Sequence, residues 1–227
     1  MRVVIYGGFS CPYSYLASVR VDRLAASEAL EVDWRAVESG RPPVTGSPAA
    51  DRRDDLDREL TQARELALPG EVLPRRPVGL VNGEAAVAAH AESVSDGVQE
   101  EFRRRLFAAI WIEVRPMTSV TDVRRLIAEV MCPPEPVLAH LSSPDLPAAL
   151  LHDPDAHRIA RRSGGAVTVY GGPLTTAANR RARRWCQEWL ALPRQVTPAL
   201  LLPDTTVMLG KDALRYLSRR SILASPG

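Results

Sequence analysis

The chain has 227 residues, 45% of them hydrophobic, enough to bury a full core as one large domain or two small ones. With 29 basic against 27 acidic residues the net charge is +2, which excludes a strong field for nucleic acid, a membrane surface or a polyanionic partner. No stretch approaches the ~20 apolar residues of a spanning helix, and Cys11, Cys132 and Cys186 lie too far apart for a C-x-x-C pair, a disulfide framework or a zinc site.

From the amino terminus, Val3, Val4 and Ile5 form a β-branched run that suits a strand buried on both faces. The run is too short for a secretory h-region, so a cytoplasmic location is expected. Gly7-Gly8 breaks it. Pro12 opens a helix, with Leu16, Val19 and Leu24 at helical spacing to about Ala26. Leu30 to Val37 alternates apolar and charged residues and reads as a second strand, giving a βαβ unit.

Ser39 to Ala50, rich in Gly, Pro and Ser, reads as a connection. Helices are then predicted over Asp51 to Leu68, Gly83 to Val94, Asp96 to Val114 and Val120 to Met131, the last capped by Thr121 or Ser119 and stopped by Cys132-Pro133-Pro134. A further helix is expected around Asp155 to Arg162, and another over Leu174 to Leu190 bearing Arg180, Arg181, Arg183 and Arg184. Pro198 to Leu202 and Thr206 to Leu209 form a hairpin about Pro203-Asp204-Thr205, and Gly210 leads into a final helix through Leu217. The order is βαβ, a helical block, then ββα. This predicts an α/β fold; the order is that of a thioredoxin-like fold with a large helical insertion, which periodicity alone does not select over other α/β folds, and on that reading residues 1–38 and 165–227 form the thioredoxin-like part and 39–164 the insertion, all in one compact unit.

Cys11-Pro12-Tyr13-Ser14 stands where a strand gives way to a helix. A sulfur there lies near unpaired N–H groups and the positive end of the helix dipole, which predicts a thiol biased toward thiolate. Ser14 occupies the place of a second cysteine, so no disulfide closes within the motif and a mixed disulfide on Cys11 needs an outside thiol to resolve it. Cys132 and Cys186 read as buried small hydrophobes. The arginines near Trp185 and Trp189 read as a solvated face over buried tryptophans rather than a nucleic-acid surface, and His152 and His157 with Asp153 and Asp155 lack metal-ligand spacing. Phe107 and Trp111 read as core.

Gly8-Phe9-Ser10-Cys11-Pro12-Tyr13-Ser14-Tyr15-Leu16 resembles the active-site segment of the 2-hydroxychromene-2-carboxylate isomerases and kappa-class glutathione transferases, Asp-Phe-Ser-Ser-Pro-Tyr-Ser-Tyr-Leu, and is similar to the Cys-Pro-Trp-Cys-Tyr of FrnE-like DsbA proteins. Leu106 to Glu113, Val196-Thr197-Pro198 and Gly210-Lys211-Asp212-Ala213-Leu214 extend the likeness along the chain. Gly8 departs from the families' acidic residue, and Cys11 from the serine of the isomerases and transferases. The resemblance implies a DsbA-like thioredoxin fold with a cis-proline at Pro198. By the same likeness, Cys11 and Ser14 are the catalytic pair, with Ser10, Pro12, Tyr13, Thr197, Pro198, Lys211 and Asp212 as binding residues. A cis bond at Pro198 would turn the Thr197 backbone toward the Cys11 loop, to pair with an extended thiol such as glutathione.

The expected activity is thiol-dependent oxidoreductase chemistry at one cysteine, acting on a small molecule or disulfide with glutathione or another low-molecular-weight thiol as cosubstrate. A glutathione-dependent cis–trans isomerase and a redox-inactive binding or accessory protein stand as alternatives. No nucleic acid, membrane or metal is expected, and a homodimer follows from the frequency of dimers among the families resembled.

Overall fold

A computed structural model describes residues 2–27, 30–38, 49–131, 172–173 and 175–224. The expected connection over 39–48, the helix around Asp155, the two histidines with their aspartates and Cys132 lie outside the described residues. In chain order the elements are β1 (Arg2–Gly7), α1 (Pro12–Ala26), β2 (Glu31–Ala36), α2 (Ala49–Glu65), α3 (Gly83–Ser93), a 3-10 turn (Val94–Asp96), α4 (Gln99–Trp111), α5 (Val120–Met131), α6 (Thr176–Leu190), β3 (Ala199–Leu201), β4 (Val207–Leu209) and α7 (Lys211–Ala224).

The strands form one mixed sheet in the order β2-β1-β3-β4, with β1 parallel to β2 and antiparallel to β3, and β3 antiparallel to β4. Central β1 buries Val3, Ile5 and Tyr6 in succession, so both of its faces are covered, as its β-branched run predicts. Gly7 at its end is required sterically: a Cβ there would sit 2.1 Å from the Trp34 ring. The expected helix from Asp96 instead begins at Gln99, because Gly97 takes a φ of 72° and ends the preceding 3-10 turn. Of the two caps offered for α5, Ser119 serves, its hydroxyl accepting from the Asp122 N–H at 3.1 Å while the Asp122 carboxylate accepts in return from the Ser119 N–H at 2.9 Å.

Helix α1 packs on α7 and on α4, while α3 packs on α6, α4 and α5. Two fully buried arginines join α1 to its neighbours. Arg20 pairs with Glu71 at 2.9 Å, both side chains at most 1% exposed, and also donates to the Leu66 and Leu214 carbonyls and the Ser218 hydroxyl. Arg103 of α4 reaches back to Ser18 and Asp22 of α1 and lies 5.1 Å from the Trp34 ring. Trp185 and Trp189 are buried and Arg180, Arg183 and Arg184 exposed on α6, the arrangement expected of that helix. Cys186 is the correction: it is exposed, because it falls on the outward face between the two buried tryptophans.

Phe107 and Trp111 are core, with Phe107 meeting Phe9 at 4.9 Å and Trp34 edge-on at 5.7 Å. Inside this aromatic layer sits His90, fully buried, within 6.4 Å of the rings of Phe9, Phe102 and Trp185, its two nitrogens without a hydrogen-bond partner among the described residues. Burial, followed by the charges of Arg103 and Arg181, pushes its pKa down to about 3. The unfolded chain therefore takes up a proton near pH 6.5 that the folded chain refuses. Stability is expected to be full above that pH and to fall by about 1.4 kcal/mol per pH unit on acidification. Urea unfolding at pH 7, 6 and 5 measures this slope, and His90→Leu is expected to flatten it; an unchanged slope in the variant would refute the assignment.

Candidate functional site

The loop leaving β1 is held from three sides. The Gly8 N–H donates to the buried Ser14 hydroxyl at 3.2 Å, the Cys11 N–H donates to the Gly8 carbonyl at 3.3 Å, and the Trp111 indole donates to the Phe9 carbonyl at 3.1 Å. Cys11 is the N-cap of α1, in extended conformation, with Pro12 in the first turn and no acidic residue there to compete for the helix N–H groups. The aromatic helix α4 thus braces the segment carrying the sulfur.

From the other end of the chain, the Thr197–Pro198 peptide bond is cis, and the Thr197 carbonyl accepts from the Cys11 thiol at 3.4 Å. Gly210, at a φ of 52°, turns the chain from the hairpin into α7 and donates to the Pro198 carbonyl at 2.7 Å. Residues 186 apart in sequence are thereby brought into contact.

Between these two loops and α2 lies an open cleft of about 470 Å³, lined by Ser10, Cys11, Tyr13, Thr197 and Lys211 among the residues singled out in the sequence. Cys11, 8% exposed, forms part of its floor. Ser14 lies behind that wall, fully buried, and acts on the loop and the sulfur rather than on the cleft. Pro12 and Pro198 are buried and shape the backbone on either side. Asp212 stands apart from the cleft: it lines a neighbouring hollow with Arg194 and β4, and its carboxylate takes up Arg215 at 2.9 Å.

The ionisation of Cys11 runs opposite to the sequence expectation. Burial pushes the thiol up from its ordinary value and is the largest influence; hydrogen bonds with Thr197 and with the Ser14 backbone and hydroxyl pull the other way without prevailing, and the charge of Glu59 adds to the rise. The helix N-terminus does favour thiolate, but the local dielectric outweighs it. At rest Cys11 is a thiol donating to Thr197. Tyr13 is likewise held neutral, its pKa pushed up to about 12 by burial, then by Glu59, Cys11 and Glu65, while its hydroxyl donates to Gln62 at 2.9 Å.

Sequence reasoning missed the α2 wall. Asp55, Leu56 and Glu59 face the cleft, and their i, i+1, i+4 spacing is the signal for a shared helix face, although nothing in that spacing says which surface the face meets. It also missed Glu38, whose carboxylate accepts from the Ser10 hydroxyl at 3.2 Å and whose pKa is raised, chiefly by burial. Its other oxygen lies where a Cβ on Gly83 would stand, so Gly83 at the start of α3 makes room for it. Among the described residues no group of three or more His, Cys, Asp or Glu is placed to hold a metal, and no helix is long and apolar enough to cross a membrane.

A model of the DSBA-like thioredoxin domain matches residues 2–164. Among curated proteins none matches the sequence. A probable DsbA oxidoreductase of Streptomyces coelicolor superposes with a TM-score of 0.62 at 15% identity, covering 100% of this chain and 92% of the other. A 2-hydroxychromene-2-carboxylate isomerase superposes at 0.54 and 18% identity, over 96% and 93%. The cytosolic disulfide reductase DsbM of Pseudomonas aeruginosa, in a structure with glutathione, superposes at 0.54 and 16% identity, over 98% and 96%. At these identities the likeness is one of fold.

Proposed function

Because the chain belongs to the DSBA-like thioredoxin domain family, we propose that it is an enzyme catalysing thiol–disulfide exchange through Cys11 alone, with glutathione or another low-molecular-weight thiol as cosubstrate. The observation that carries this reading is the placement of the Cys11 sulfur: at a helix N-terminus, on the floor of an open cleft, in contact with the Thr197 backbone.

The chemistry follows from the groups present. Cys11 gives up its proton to solvent, and the thiolate accepts hydrogen bonds from the Thr197 side chain and from the Ser14 backbone and hydroxyl. It attacks one sulfur of a disulfide R–S–S–R; the bond from Cys11 to that sulfur forms, the S–S bond breaks, and R–S⁻ leaves with the electron pair. With Ser14 in place of a second cysteine, the mixed disulfide persists until an outside thiolate attacks it, releases R–S–S–R′ and returns Cys11 to its reduced form. The Thr197 backbone is available to align an extended substrate, and Lys211 to meet an anionic group on it. A reducing cytoplasm supplies the resolving thiol.

The test is mass measurement of the protein after treatment with 2-hydroxyethyl disulfide. An adduct mapping to Cys11 and removed by glutathione is expected, beside the adduct on the exposed Cys186, which serves as internal control for reagent reactivity. The Cys11 rate is expected to rise with pH through a value above that of a free thiol, since the shift is upward. Modification of Cys186 with Cys11 untouched at alkaline pH would end this reading. It would favour the second one, a redox-inactive binding protein, for which the burial of the sulfur is the specific support.

A further inference from the structure

Glu38 carries a carboxyl group that the exchange steps leave unused. It follows β2, and its Oε1 accepts from the hydroxyl of Ser10, the residue preceding the nucleophile, at 3.2 Å. Its Oε2 is buried with no hydrogen-bond partner among the described residues. The chain leaves space for that oxygen, since a Cβ on Gly83 would overlap it. Burial, with the charge of Glu84 adding to it, holds the acid above its ordinary pKa against the pull of the Ser10 bond. A buried carboxylate with one oxygen unpaired is costly, whereas a neutral carboxyl group bears the same position at less cost. Ser10 lines the cleft beside Cys11, and Glu38 stands behind it.

We propose that Glu38 and Ser10 form a proton relay, in which Glu38 holds the proton that Ser10 delivers to the departing sulfur of the disulfide. This rests on the exchange chemistry assigned above and adds a proton source to the same site. With Glu38 neutral, its O–H donates to the Ser10 Oγ and the Ser10 O–H turns to the cleft; with Glu38 ionised, the Ser10 O–H turns back to the carboxylate. In the first half of the cycle Cys11–S⁻, R–S–S–R and neutral Glu38 give Cys11–S–S–R, R–SH and the Glu38 carboxylate. In the second half the carboxylate takes the proton of R′–SH through Ser10, and R′–S⁻ attacks the mixed disulfide. That releases R–S–S–R′ and restores both Cys11–S⁻ and neutral Glu38, so no further reactant is consumed. Ser10 meets the reacting sulfur, and Glu38 is a positioning residue that acts only through it. The relay matters most where the departing thiolate is strongly basic, because a weakly basic one leaves without a proton.

The experiment measures rates of Cys11 adduct formation at neutral pH, by quench and peptide mass measurement, with two uncharged probes. One is 2-hydroxyethyl disulfide, which releases an alkyl thiolate; the other is 4,4′-dithiodipyridine, which releases a far less basic one. The rate at the exposed Cys186 with each probe is the reference. Glu38→Gln keeps the size and an acceptor for Ser10 but has no acid proton. It is expected to slow the alkyl probe about tenfold or more and the aromatic probe less than about threefold. Ser10→Ala is expected to show the same selective loss, and the double variant to lose no more than Ser10→Ala alone, since the two residues act as a unit. A merely structural role would slow both probes alike. Equal slowing of the two in Glu38→Gln, slowing of neither, or an additive loss in the double variant overturns the proposal and leaves Cys11 exchange in place. Should Glu38→Gln not fold, the probe ratio in Ser10→Ala decides by the same criterion. Failure of Cys11 to react with either probe in the unmodified protein removes the exchange reading and this proposal together.

Discussion

Cys11→Ser is expected to reduce disulfide exchange to the rate of the reaction without protein, while leaving the fold in place. The sulfur is the atom that bonds to substrate; a hydroxyl in its place is a poor nucleophile near neutrality and forms no bond to sulfur that an outside thiol can exchange. Serine retains the hydrogen bond from residue 11 to the Thr197 carbonyl and removes little volume, so thermal unfolding should move by only a degree or two, about the effect of a fraction of a kcal/mol. Ser14→Ala gives a useful contrast. It leaves the Cys11 sulfur but deprives the buried Gly8 N–H of its acceptor, a loss of about 1–3 kcal/mol in stability, with exchange weakened rather than abolished. Turnover of 2-hydroxyethyl disulfide with glutathione, measured beside a thermal melt, separates the two. Undiminished turnover in Cys11→Ser would show that the chemistry resides elsewhere.

Arg20→Met is expected to be the most destabilising single change outside the aromatic core. The guanidinium makes five hydrogen bonds, two of them to Glu71, in a site closed to solvent. Removing it leaves the buried Glu71 carboxylate with only the Leu68 N–H at 2.8 Å and the more exposed Arg23 at 3.8 Å, a loss of about 3–5 kcal/mol. For a chain of this size that lowers the melting temperature by roughly 10 °C. The double variant Arg20→Met/Glu71→Leu should lose less than the single one, since both desolvated charges are gone. Breaking the exposed Arg58–Asp55 pair should have little effect, because water already solvates both partners. If the single variant melts within a few degrees of the parent, the pair is not the clamp described. The clamp bears on function because it ties α1, whose N-cap is Cys11, to α7, whose first residue is Lys211.

Much of this was legible in the residues themselves. The β-branched run of Val3 to Ile5, the Gly-Gly break and Pro12 after Cys11 locate a strand, a loop and a helix start, because each acts through its own backbone preference. The hairpin about Pro203-Asp204-Thr205 is legible for the same reason. So is the core role of Phe107 and Trp111, whose four-residue spacing puts them on one face. Cys186 was misjudged because cysteine's usual burial says nothing of where two adjacent tryptophans turn a particular helix.

Among the described residues, local sequence by itself determined which elements form, and that the first cysteine opens a helix while lacking a partner thiol in its own motif. Tertiary structure alone decided the ionisation of that cysteine, the carboxylates it faces and the neutral state of His90. A strand or a cap is set by a few adjacent residues, whereas a dielectric environment is the sum over atoms that α2, α4, α6 and the Thr197 turn bring together from across the chain.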